Sequence, residues 1–208
     1  VTELFTLPTL RVEQPRKVVA TRTRYNFLDE RGTLVAVATD TNERSRRVAV
    51  RAALPGNVLA GAQTLLLTDP DEVPLLVIEK QASNRRTVVR RPGDDSSEES
   101  DLFEGEVVGT IEAVRTTRHY VLRDAEGAKL GEVTGDLSLK RFAVTDTESR
   151  HVAQVNKRWA GLRAELLTNA DRYSVEFLTN RLSEPLRALV VVLATVLDLT
   201  LHESKDIV

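Results

Sequence analysis

No cysteine occurs in this chain of 208 residues, so disulfides, thiol nucleophiles and cysteine-held metal or iron–sulfur centres are excluded. That absence fits a cytoplasmic protein. Charge of one sign is lacking too. With 29 basic and 31 acidic residues the net charge is −2, which argues against a general nucleic-acid binder, normally strongly basic. There is no Gly-rich phosphate loop and no GxSxG nucleophile elbow, and no strand–helix alternation suggests a parallel sheet. Residues 1–17, VTELFTLPTLRVEQPRK, hold no apolar stretch long enough for a secretory signal. Only one long hydrophobic run occurs, near the C-terminus. Even so, 41% hydrophobic residues suffice for one sizeable core in a single domain over 1–208.

What is present is a hairpin pattern written four times. YNFLDERGTL (25–34) and YVLRDAEGAKL (120–130) share a Tyr, an Asp four residues on and a Gly seven residues on. LLLTDPDEVPLL (65–76) and FAVTDTESRHVAQV (142–155) are looser versions. Each has apolar residues at alternate positions, then Asp, a polar turn and a second apolar stretch, which is how a β-hairpin reads. Asp29, Asp69, Asp124 and Asp146 are expected to bond their own turn backbone, with Gly32 and Gly127 at positive φ. Strands are also predicted at 46–52, 86–91, 106–114 and 172–177. The total of about ten to twelve short strands indicates a sandwich or barrel. The acidic stretch over 94–104 reads as a flexible loop between the two halves.

The hydrophobic run lies in LSEPLRALVVVLATVLDLTL (182–201). From Ala188 to Leu197 it would cover about 15 Å as a helix, half of a roughly 30 Å hydrocarbon layer. It is bounded by Arg187 and Asp198. A buried helix over 183–202 is the favoured reading, with membrane insertion and a central strand as alternatives. Ser183 offers a cap and Pro185 fits a first turn. A helix apolar all round must be enclosed all round, and an antiparallel barrel of about eleven strands can surround one. Arg187 and Asp198 are then about 16 Å apart along the helix, too far to pair, and each is expected near one barrel mouth. Tyr25, Tyr120, Phe142, Tyr173 and Phe177 are expected to face inward.

The segment LTNADRYSVEF followed by SEPLRALVVVLATVLDLTLHES resembles the phospholipid scramblase and LURP-one-related families, of bacterial type. The Tyr25 and Tyr120 hairpins and KRWAGL around Trp159 resemble them too. The resemblance implies the tubby-like fold, all-β with one central helix: an antiparallel barrel of about twelve strands wrapped around a hydrophobic C-terminal α-helix. Family activities range from phosphoinositide binding to calcium-dependent lipid movement. At the segment matching the scramblase calcium stretch, however, this chain has Asn169 and Asn180 where acids are expected and keeps only Asp171. One carboxylate is too little for a Ca²⁺ site, which takes six to eight oxygens, several from carboxylates.

The functional expectation is a non-enzymatic, cytoplasmic protein, peripheral to the membrane, that binds anionic phospholipid or a membrane surface. The candidate residues are the arginines of two strands: Arg44, Arg46, Arg47 and Arg51, then Arg85, Arg86, Arg90 and Arg91. Guanidinium forks suit phosphate oxygens. A solvated strand face is the plainer explanation of the same arginines. The alternative function is a protein-interaction module using the acidic loop. No catalytic residue, metal, cofactor or nucleic-acid partner is expected. His119, His151 and His202 show no metal spacing, and Trp159 is expected in the core.

Overall fold

Alternating apolar and polar residues produce twelve strands among the described residues. The computed structural model describes residues 3–15, 23–41, 62–81, 85–93, 101–114, 118–158 and 172–203. The strands are β1 (Thr9–Glu13), β2 (Arg24–Leu28), β3 (Leu34–Asp40), β4 (Gln63–Thr68), β5 (Pro74–Lys80) and β6 (Arg86–Arg90). They continue as β7 (Val107–Ala113), β8 (His119–Asp124), β9 (Lys129–Gly135), β10 (Arg141–Asp146), β11 (His151–Arg158) and β12 (Arg172–Phe177). Each strand pairs antiparallel with the next, and β12 pairs with β1, so the sheet closes into a barrel. Closure leaves no unpaired edge. Arg46–Arg47 and the rest of the strand expected over 46–52 lie outside the described residues, as do Trp159 and residues 94–100 of the acidic stretch. Asp101–Phe103 form a short 3-10 turn.

The four Asp hairpins share one geometry. The carboxylates of Asp29, Asp69, Asp124 and Asp146 accept from the backbone N–H four residues on, of Thr33, Val73, Ala128 and Arg150, at 2.7, 2.9, 2.7 and 2.9 Å. The Thr33 amide, first among several donors, holds the Asp29 carboxyl below its ordinary range. In each turn the third residue after Asp takes positive φ: Gly32 at 88°, Gly127 at 86°, but also Glu72 at 64° and Ser149 at 62°. The sequence marked only the two glycines, because the carboxylate clamp holds a left-handed residue even where a Cβ makes it costly. Each of these hairpins then shifts register at the strand end, a bulge that strengthens twist and helps close the barrel.

The barrel encloses one helix, α1 (Glu184–Glu203), which starts where the Ser183 carbonyl accepts the Arg187 N–H at 3.0 Å. Every residue from Ala188 to Leu201 is buried, Thr195, Asp198 and Thr200 included. This uniform enclosure explains a segment with no polar face. Among the described residues no helix is long and apolar enough to cross a membrane. At Gly109 the wall has no room for a side chain: a Cβ there would lie 3.1 Å from Leu189 Cδ1 of the helix and 2.3 Å from the Arg123 carbonyl oxygen of the next strand. The expected inward residues Tyr25, Tyr120, Phe142, Tyr173 and Phe177 are all buried.

Candidate functional site

An up-and-down barrel sends alternate connections to opposite mouths. At the N-terminal mouth, where α1 begins, lie residues 3–8, the connections 29–33, 69–73, 125–128, 147–150 and 178–183, and the described ends, 91–93 and 101–106, of the connection between β6 and β7. At the C-terminal mouth, where α1 ends, lie the turn 136–140 and the strand ends that bound the connections 14–23, 41–62, 81–85, 114–118 and 159–171. Each connection is assigned by the strands it joins. Charge divides along the same line. Among the described residues, the N-terminal set carries eleven acids and four bases, and the C-terminal set one acid and three bases. Among the described residues one mouth is thus acidic and the other carries more bases than acids.

Inside the C-terminal mouth lies a polar cluster around Asp198, which is wholly buried. Its two carboxylate oxygens accept hydrogen bonds from the hydroxyls of Tyr25 on β2 and Tyr173 on β12, both at 2.9 Å. The Lys157 ammonium on β11 stands 3.8 Å away and 5.2 Å above the Tyr173 ring. Three strands therefore hold the end of α1 through one carboxylate. Nearby, burial pushes the Tyr120 phenol up, opposed by the Arg85 charge and a hydrogen bond with the Thr200 side chain. Asp40 and Lys80 are buried at the same end. The other helix boundary is dressed differently. Arg187 donates to the carbonyls of Phe5 and, at 2.8 Å, Leu7, and lies 4.2 Å from the Phe177 ring. Its burial lowers the guanidinium pKa. Arg187 and Asp198 do sit at opposite mouths, but Asp198 reaches no water.

Sequence reasoning missed this cluster as a cluster. It placed Tyr25 and Tyr173 inward without joining them to Asp198. The signal for Lys157, Lys80 and Asp40 was present in strand alternation. Lys157 follows Ala153 and Val155, Lys80 follows Leu76 and Ile78, and Asp40 follows Ala36 and Ala38, each on the buried face.

Arg44, Arg46, Arg47 and Arg51 lie outside the described residues, in the connection whose described ends, Thr41 and Ala62, stand at the basic mouth. Arg85 is exposed at that mouth with φ at 47°. Arg86 and Arg90 share the outer face of β6, where Arg86 pairs with Glu112 at 3.2 Å and Arg90 with Glu79 at 2.9 Å. Arg91, at the acidic mouth, pairs with Glu184. The structure therefore spreads Arg85–Arg91 from one mouth to the other and does not gather them on one patch. His119 faces Glu132 at 3.4 Å, and His151 is exposed. Asn169 and Asp171 lie outside the described residues and Asn180 is exposed. Among the described residues no three His, Asp or Glu side chains form a metal-sized group.

Comparison with known proteins agrees with this architecture. The family model described as Scramblase matches residues 19–204. Among solved structures, the barrel is similar to that of a protein from Arabidopsis thaliana, with a TM-score of 0.53 at 15% sequence identity. That match covers 94% of this chain and 97% of the plant chain. No curated protein matches the sequence.

Proposed function

The chain belongs to the scramblase family, and on that premise we propose that it is a non-enzymatic protein that binds anionic phospholipid at a membrane surface. The observation that supports this reading is the alternation of charge along the sequence: the segments that follow strand or helix ends at the C-terminal mouth hold thirteen bases and five acids, in a chain of net charge −2. A localised cationic surface attracts an acidic leaflet even when the whole molecule is nearly neutral, because screening confines each charge to about 8–10 Å. The arginines proposed for the contact are Arg44, Arg46, Arg47, Arg51, Arg85 and Arg86. Arg90 and Arg91 take a smaller share, held by Glu79 and Glu184 toward the acidic mouth. The protein works in the cytoplasm, peripheral to the membrane.

The test is co-sedimentation with neutral and acidic vesicles across a salt series. Each cation near an anionic membrane contributes about 1 kcal/mol. Neutralising Arg46, Arg47, Arg85 and Arg86 together is expected to weaken binding by about two to three orders of magnitude where all four face the lipid, and added salt acts in the same direction. Circular dichroism confirms that the variant is folded. Equal binding to both vesicle types, or to neither, would discard the lipid reading. The acidic mouth, with the 91–106 connection, then becomes the contact of a protein-interaction module.

A further inference from the structure

A fifth Asp turn closes β9 onto β10 at the basic mouth. The Asp136 carboxylate accepts from the Lys140 amide at 3.0 Å, from the Arg141 amide at 3.3 Å and from the Ser138 hydroxyl. These bonds, the Lys140 amide first, hold its pKa down at about 2. Leu139, third after the Asp, has φ at 55°, as its counterparts do in the four turns at the other mouth. The two tip residues differ in kind. At the acidic mouth they are Glu30–Arg31, Pro70–Asp71, Ala125–Glu126 and Thr147–Glu148, so every tip carries an acid. At the basic mouth they are Leu137–Ser138. Leu137 is 89% exposed, the most exposed large hydrophobic side chain among the described residues.

Cations flank it. The Gly135 amide donates to the Arg118 carbonyl at 2.7 Å, which places Arg118 on one side of the turn. The Lys157 amide donates to the Lys140 carbonyl at 2.7 Å on the other, and the Arg141 side chain, largely exposed, pairs with the Asp136 carboxylate at 3.4 Å. An apolar tip on a clamped turn, with Arg118, Lys140 and Arg141 beside it in the chain and across the strands, matches the layering of an acidic bilayer, whose headgroup anions overlie hydrocarbon. Val73 and Leu178 are also exposed, at 53% and 54%, but on the acidic mouth, which such a surface repels.

We infer that Leu137 is the side chain this protein inserts into an anionic bilayer. The barrel stands on its basic mouth with α1 along the membrane normal and the acidic mouth facing away. The inference rests on the lipid-binding reading and adds an orientation and a contact residue. Because the chain has no cysteine, Leu137→Cys and Val73→Cys in the full chain each accept one polarity-sensitive fluorophore. On phosphatidylserine-containing vesicles the probe at position 137 should brighten and shift to the blue, and the probe at 73 should not respond. Leu137→Asp should lower vesicle affinity about tenfold, through lost apolar burial and added repulsion, whereas Val73→Asp should not. Circular dichroism checks the fold of all four variants. A parent that binds no acidic vesicle overturns the lipid reading and this inference with it. A parent that binds while position 73 responds as strongly as 137, or more so, overturns the orientation and leaves lipid binding standing.

Discussion

The two mouths of this barrel solve the same problem, ending a central helix inside a closed sheet, with opposite chemistry. At the N-terminal mouth the chain's own first turn closes the opening. Leu4 is fully buried there, and the carbonyls of Phe5 and Leu7 receive Arg187, a cation that still reaches solvent. The four tight Asp hairpins ring that mouth, with acids at their tips. At the C-terminal mouth the helix carries a carboxylate that is wholly enclosed, and the wall supplies two phenols and an ammonium to meet it. One mouth is sealed by local turns and backbone carbonyls. The other depends on side chains from β2, β11 and β12 converging on Asp198. The first arrangement tolerates change residue by residue; the second fails as a unit, because a buried charge left without partners is costly.

The sharpest way to break the comparison is to remove what both mouths share. Leu189 and Leu193 are fully buried in the middle of α1. Leu189→Ala with Leu193→Ala should cost about 4–10 kcal/mol, comparable with the whole stability of a domain of this kind, about 5–15 kcal/mol. Thermal unfolding followed by circular dichroism should show a chain largely unfolded near room temperature. A melting point close to the parent's would refute the enclosed-helix account.

Next in size is the contrast between the two boundary charges. Asp198→Ala removes the buried carboxylate that Lys157 and two tyrosine hydroxyls meet and should cost about 3–5 kcal/mol. Arg187→Ala removes a half-buried cation from two backbone carbonyls and should cost about 1–2 kcal/mol. Urea denaturation of both variants reads the difference directly, and equal losses would mean that the two mouths are not distinct in kind. The smallest expected effect is a gain. Ser149→Gly relieves a left-handed residue in an acidic-mouth turn and should stabilise by less than about 1 kcal/mol, part of the relief being offset by glycine's greater chain entropy. A loss on the same scale of measurement would show that the Asp146 clamp depends on the serine.

Much of the barrel was legible before its coordinates, for a physical reason. A half-buried strand writes its inward face at every second residue, so β12 could be read from Tyr173, Val175 and Phe177 and the hairpins from Asp plus turn. A helix buried on all sides writes an unbroken apolar run, and that run demands a closed wall. The positive φ of Glu72, Ser149 and Leu139 was not legible, since nothing in those side chains signals it. The Asp198 cluster was half legible. Alternation points Lys157 inward, but only register brings β2 and β12 to the same level of α1. The candidate arginines were read as two strands' worth of one surface, and linear proximity misled there: Arg85 and Arg91 are six positions apart along a strand and so stand at opposite mouths.

The sequence by itself determined the fold class, the enclosed helix and the inward tyrosines, because each depends on periodicity, which is a local property of the chain. It contained the charge division too, as alternation between successive connections, though that pattern means something only once odd and even connections are known to emerge at opposite ends. Closure of β12 onto β1 decided that, and with it which charges act together. It also decided that a carboxylate near the chain's end would meet Tyr25, 173 positions away, at hydrogen-bonding distance. Contacts between residues so far apart in sequence are fixed by the summed register of twelve strands, and no single stretch of the chain carries that sum.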